Sequence, residues 1–152
     1  PYTTLFRSLT FGNDFEQSLE GVILPPSLQS LTLGSVFNQC LQRVSLPPSL
    51  QKLTLGSISS FNQSLEGVTL PPSLQALTFG CDFNQILERV TLPPSLQTLT
   101  LGACFNQSLK GVIFPEKLED LLFGDFQQGL EGVDLPSSLK TLGLREAVLS
   151  CR

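Results

Sequence analysis

The feature that most constrains this chain is a repeat. "LPPSLQSLTLGSVFNQCLQRVS" (24–45) is followed by "LPPSLQKLTLGSISSFNQSLEGVT" (46–69), "LPPSLQALTFGCDFNQILERVT" (70–91) and "LPPSLQTLTLGACFNQSLKGVI" (92–113). A looser copy, "FPEKLEDLLFGDFQQGLEGVD", covers 114–134, and partial copies lie on either side. The period is 22 residues, once 24 and once 21. Identical units at such a period stack as coils, each burying its apolar side chains against its neighbours.

The columns read as chemistry. Phe15, Phe37, Phe61, Phe83, Phe105 and Phe126 form one column, and Leu19, Leu41, Leu65, Leu87, Leu109 and Leu130 another. A third runs Val22, Val44, Val68, Val90, Val112 and Val133. Within each copy, L-x-L-G and V-x-L-P alternate with period two, the pattern of short half-buried strands. No helical stretch fits between the prolines and glycines. Proline ends the V-x-L segment, and glycine after L-x-L suits a sharp turn. The expected fold is an all-β repeat: a right-handed, leucine-rich-repeat-like β-solenoid of about six to seven 22-residue coils, with no long helix. Two short parallel strands per coil would build two sheets. The polar columns Asn38, Asn62, Asn84, Asn106 and Gln17 through Gln128 are expected to form amide ladders, donating to the next coil and accepting from the previous one, or to satisfy backbone groups of the turns.

With these residues in place, "LPPSLQxLTLGxxFNQxL" resembles the FNIP repeat, a leucine-rich-repeat-like unit abundant in some protists. The resemblance runs from Leu9 to Leu144. It departs where other members often carry Pro after "FNQ"; here stand Ser18, Cys40, Ser64, Ile86, Ser108 and Gly129. The resemblance implies a solenoid used for recognition or scaffolding. It implies no catalytic residues and no cofactor.

Composition narrows the function classes. Charged residues make up 14% and the formal net charge is −4, which gives no basis for binding nucleic acid or a membrane surface. There is no His, the commonest general base and metal ligand. Cys40, Cys81, Cys104 and Cys151 show no CxxC spacing, so no metal site is read. Cys81 and Cys104 lie on adjacent coils, one column apart, and Cys40 is expected to be a partly buried small residue. Unpaired thiols point to a reducing, cytoplasmic compartment.

Three surfaces are candidates. Thr32, Thr54, Thr78 and Thr100 form an outward column on the L-x-L strand. The longer Gly56–Phe61 connection, Ser57-Ile58-Ser59-Ser60, is a candidate binding loop. Glu66 and Glu88 face one another on adjacent coils, with Arg89 moderating their repulsion. The main reading is a non-enzymatic scaffold that binds a protein partner. One alternative is extracellular adhesion or ice binding through the Thr column, although its neighbouring column (Ser30, Lys52, Ala76, Thr98, Asp120) is irregular. A third is a polysaccharide-active enzyme using Glu66 and Glu88 as a carboxylate pair. Open coil ends would also permit end-to-end self-association.

The termini stand apart from the array. "PYTTLFRS" (1–8) resembles the in-frame translation of a sequencing adapter and is expected to be non-native. The array itself is expected over 9–144, with an irregular or truncated end at 145–152. The lack of any Met agrees with a fragment of a longer protein.

Overall fold

The computed structural model describes residues 6–56 and 61–143. Seven strands follow in chain order: β1 (Ser8–Thr10), β2 (Ser30–Leu33), β3 (Lys52–Leu55), β4 (Ala76–Phe79), β5 (Thr98–Thr100), β6 (Asp120–Leu122) and β7 (Thr141–Gly143). They form one parallel sheet in the order β1 to β7, each strand beside its sequence neighbour. The register advances by one repeat: Leu31 lies opposite Leu53, Leu53 opposite Leu77, Leu77 opposite Leu99. No helix is present among the described residues. The parallel solenoid read from the repeat is therefore the fold.

Between strands, the chain recurrently forms three hydrogen-bonded turns among the described residues. The first spans Gly-x-x-Phe, as where Phe37 N donates to Gly34 O at 3.2 Å. The second spans Leu-x-x-Val, with Val44 N donating to Leu41 O at 3.1 Å. The third is Pro-Pro-Ser-Leu, with Leu50 N donating to Pro47 O at 3.0 Å. Proline suits the second position of such a turn because its φ is already fixed near the required value.

Only one of the two expected strands per coil forms. The V-x-L segments are extended, with Val68 and Leu70 buried and Thr69 exposed, but they make no second sheet. The reason is local. Val N is spent on the Leu-x-x-Val turn, and the residue after V-x-L is proline, which has no N–H. Too few donors remain for a ladder. At the corner between strand and V-x-L segment, successive Phe rings stack 6.0–6.2 Å apart, and the backbone beside them bonds coil to coil, as where Cys104 N donates to Cys81 O at 2.8 Å.

Burial follows the columns. Phe37, Phe61, Phe83 and Phe105 have no exposed surface, and Leu28, Leu31, Leu50, Leu53, Leu74, Leu77, Leu96 and Leu99 are at most 1% exposed. No polar or charged residue is buried among those described. In the first coil Val22 is partly exposed, and Phe6, in the Leu28 column, is exposed as well.

The amide columns satisfy backbone donors of the turns, one of the two expected roles, and their amide-to-amide bonds run in the opposite sense to the other. Asn38 Oδ1 accepts from Asn62 N (2.9 Å) and Gln63 Nε2 (3.1 Å). Asn62 Oδ1 does the same for Asn84 N and Gln85 Nε2, and Asn84 Oδ1 for Asn106 N and Gln107 Nε2. Each amide accepts from the next coil rather than donating to it. A second ladder of hydroxyls lies at the Pro-Pro turn, where Ser49 Oγ reaches Pro26 O and Leu28 O, and Ser73 Oγ reaches Pro48 O and Leu50 O.

Glycine after the strand serves close approach at several copies. A Cβ on Gly34 would overlap the carbonyl oxygen of Gly12, and one on Gly102 would overlap that of Gly80 and lie 2.8 Å from Cys81 O. Neither glycine has positive φ. Only a residue without a side chain lets consecutive coils meet there.

Candidate functional site

The outward face of the sheet carries the Thr column. Thr10, Thr32, Thr54, Thr78 and Thr100 stand in register across five strands, and the column stops at Leu122. Thr32, Thr54, Thr78 and Thr100 are half-buried. The adjacent outward column, Ser30, Lys52, Ala76, Thr98 and Asp120, is as irregular as read, and Thr98 Oγ1 donates to Asp120 Oδ2 at 3.3 Å. One regular rank therefore lies beside one irregular rank.

The carboxylates lie on the other side of the coil, at the Leu-x-x-Val turn. The turn has two forms. Where its third residue is Gly21, Gly67, Gly111 or Gly132, φ is +72° to +78°, the position that a type II turn reserves for glycine. Where it is Arg43 or Arg89, φ is not positive. Each arginine reaches back to the glutamate of the previous coil: Arg43 Nη1 to Glu20 Oε1 at 3.2 Å, and Arg89 Nη1 to Glu66 Oε1 at 3.3 Å. Glu88 instead lies over Gly111, its Cγ 3.0 Å from where a Cβ would stand.

Glu66, Glu88 and Arg89 do come together. With Ser64, Gln85 and Ile86 they line a depression of about 370 Å³. A neighbouring depression of about 290 Å³ shares Ile86 and Glu88 and adds Gln107, Ser108, Lys110 and Gly111. Reading by repeat missed Ile86, which is 60% exposed between them. The signal was in the column after "FNQ", where Ile86 replaces the Ser, Cys or Gly of the other copies. Chemically the depressions are modest. The Glu66 side chain is 58% exposed and its charge is offset by Arg89. A carboxyl acting as a proton donor in glycoside cleavage needs withdrawal from water, which this open surface does not supply.

The cysteines differ from expectation. Cys40 is exposed rather than partly buried, and Cys40 and Cys104 are free thiols. Cys81 is buried and disulfide-bonded, which corrects the reading of unpaired thiols throughout. Cys81 and Cys104 are neighbours through the backbone, Cys104 N donating to Cys81 O at 2.8 Å. Their side chains point to opposite sides, one into the coil and one out, so they do not bridge. The Ser57–Ser60 loop lies outside the described residues. No group of three or more His, Cys, Asp or Glu stands ready to hold a metal among the described residues. Among the same residues no helix is long and apolar enough to cross a membrane.

Comparison with known proteins places the architecture. Comparison with curated proteins gives no match. The structure is similar to the crystal structure of CroV588, described as a novel circular LRR protein, with a TM-score of 0.76 and 41% sequence identity. The likeness covers 89% of this chain and 20% of CroV588, so the chain spans about a fifth of that protein's length. Residues 15–57, 61–104 and 105–146 each match the FNIP Repeat family. With its turns, Phe corner and single parallel sheet recurring in step with those matches, this chain belongs to the FNIP repeat family.

Proposed function

We propose that the array is a non-enzymatic scaffold that binds a protein partner on the outward face of its sheet. The observation that carries this reading is the Thr column, held in register from Thr10 to Thr100. It gives a continuous rank of uncharged side chains on the parallel ladder. Rigid placement of contact residues lowers the entropy lost on binding. The membership in a repeat family and the likeness to a leucine-rich-repeat protein support a scaffold role.

The test is a paired substitution. Thr54→Lys with Thr78→Lys places two long cations on the face without touching the core. Glu88→Ala with Arg89→Ala alters the opposite side of the coil. Each protein, immobilised at equal amounts, is challenged with lysate and the captured proteins are quantified. Loss of a captured partner in the first variant and retention in the second supports the reading. Equal capture by both, or loss only in the second, overturns it.

A second reading, ice binding, draws on the same column because its threonines are aligned coil by coil. The irregular neighbouring rank speaks against it. Absence of thermal hysteresis in the purified protein would end that reading.

A further inference from the structure

We propose that Asn62 and Asn106 are acceptor sites for N-linked glycosylation, and that the sugars stand on the edge of the amide ladder without breaking it. The first observation is the sequence at the corner. Asn62-Gln63-Ser64 and Asn106-Gln107-Ser108 each place a hydroxyl two residues after an asparagine, with no proline between. That is the acceptor pattern for an oligosaccharide, and it belongs on a surface turn. It arises where this chain departs from its family. Ser64 and Ser108 stand where other members often carry proline, which has no hydroxyl. Asn84 lies in the same column, but Ile86 leaves it without the hydroxyl, as Cys40 leaves Asn38. Two coils carry the pattern, and the ladder as a whole does not.

The second observation is how the ladder uses each amide. Asn62 Oδ1 accepts from Asn84 N at 2.9 Å and from Gln85 Nε2 at 3.0 Å. Asn106 Oδ1 accepts from Gln127 N at 2.9 Å. Among the described residues neither Nδ2 donates a bond; these asparagines enter the ladder through Oδ1 and the main-chain N–H. The nitrogen is the atom that glycosylation uses. Nδ2 attacks the anomeric carbon of an oligosaccharide carried on a lipid pyrophosphate. The N–C bond forms as the C–O bond to pyrophosphate breaks. The pyrophosphate leaves with that electron pair, and Nδ2 gives up one proton. Oδ1 keeps its lone pairs and continues to accept. Asn62 is exposed, and Asn106 is half-buried with Ser108 exposed beside it.

The third observation concerns the compartment. Such transfer takes place in the secretory lumen, where disulfides also persist. Cys81 is disulfide-bonded. Cys40 and Cys104 are thiols, but their coils lie three steps apart, about 14 Å at the strand spacing, beyond the reach of a bridge. That they do not pair with each other follows from position and requires no reducing compartment. The two acceptor sites are two coils apart, about 10 Å. Their sugars would flank Ile86, which is 60% exposed and shares its two depressions with Ser64 and Ser108. The outward face of the sheet belongs to the strands and not to this corner, so it stays open. The partner reading above is not needed for this inference.

The experiment translates the full chain behind a cleavable secretory leader in the presence of endoplasmic-reticulum microsomes. Protease protection identifies the chains that have entered the lumen. On electrophoresis these should show two mobility steps, both removed by peptide N-glycosidase. Asn62→Gln and Asn106→Gln should each remove one step. Ile86→Ser, which supplies the hydroxyl after Asn84, should add a third. Protected chains without steps, or steps that survive in the double Asn variant, overturn the proposal. The ladder is read by urea unfolding of the chain secreted by cells with and without an inhibitor of lipid-linked sugar synthesis. Midpoints within about 0.5 M of each other are expected, because Oδ1 stays in the ladder. A glycosylated form lower by more than that shows the sugar displacing the ladder, against the proposal. In the protein isolated from its source, mass spectrometry should find sugar on the peptides holding Asn62 and Asn106; both peptides unmodified would refute the assignment.

Discussion

Removing one oxygen from the amide ladder tests how the coils are coupled. Asn84 Oδ1 accepts from Asn106 N at 2.8 Å and from Gln107 Nε2 at 3.2 Å, both part-buried. Asn84→Ala deletes both bonds. A hydrogen bond contributes about 1 kcal/mol net, and an unsatisfied, partly buried N–H costs about 1–2 kcal/mol. The freed Gln107 amide can turn to water, whereas Asn106 N is fixed in the backbone. The expected loss is therefore about 2–3 kcal/mol. Asn84→Asp keeps two acceptor oxygens at the same place and should lose less than about 1 kcal/mol. The chain has no Trp, so far-UV circular dichroism is the probe for urea unfolding. With a slope of about 2 kcal/mol/M, the Ala variant's midpoint should fall by about 1–1.5 M and the Asp variant's by less than about 0.5 M. A change of slope in the Ala variant would mean the array has split into two units at this coil. Equal losses in the two variants, or an Ala loss below about 0.5 kcal/mol, would show that acceptance by Oδ1 does not hold the coils together.

Other perturbations separate the remaining contributions. Gly102→Ala forces a methyl into the backbone of the previous coil and should cost about 3 kcal/mol or more, while Gly12→Ala, with open space around it, should stay within about 0.5 kcal/mol; comparable losses in urea would contradict the close-approach argument. Phe83→Ala removes a fully buried ring stacked between Phe61 and Phe105 and should cost about 3–5 kcal/mol, read by the same unfolding experiment. Arg89→Ala breaks an ion pair whose side chains are 75% and 58% exposed, so stability should change by less than about 0.5 kcal/mol and not respond to salt. A clear destabilisation that disappears at 1 M salt would show the pair to be worth more than its exposure suggests.

Much of this was legible because a repeated column is a repeated environment. Phe37 and Leu53 could be placed in the core from their recurrence alone, and both are at most 1% exposed. What the columns hide is how backbone donors are allocated. V-x-L looks like a strand, but Val44 N belongs to the turn from Leu41 and Pro47, which ends the segment, has no N–H. Alternation records which side chains face inward; it does not say whether neighbouring backbones are near enough to pair. Deviations from the consensus proved harder to read than the consensus. Ile86 was visible only as an exception in a polar column. Arg89 read as a charge moderator, although it and Arg43 also change the turn from the glycine form. Cys81 and Cys104 sit one column apart, and that single step puts one inside the coil and the other outside.

The direction of the ladders has a bearing on how such a chain is made. Asn38 accepts from the coil that follows it, as do Asn62 and Asn84. Gln29 O receives both Gln51 N and Lys52 N, and Gln51 O receives Gln75 N and Ala76 N. Ser49 and Ser73 reach back in the same way. In all these columns the waiting group is on the earlier coil and the seeking group on the later one. A polypeptide leaves the ribosome with its earlier residues first and folds in that order. At these columns each coil offers acceptors to the next, while the sheet also donates forward, as from Phe11 N to Thr32 O and from Leu101 N to Leu122 O. Each such bond joins residues about one period apart, so the register of a coil is set by its immediate neighbours and not by the ends of the array.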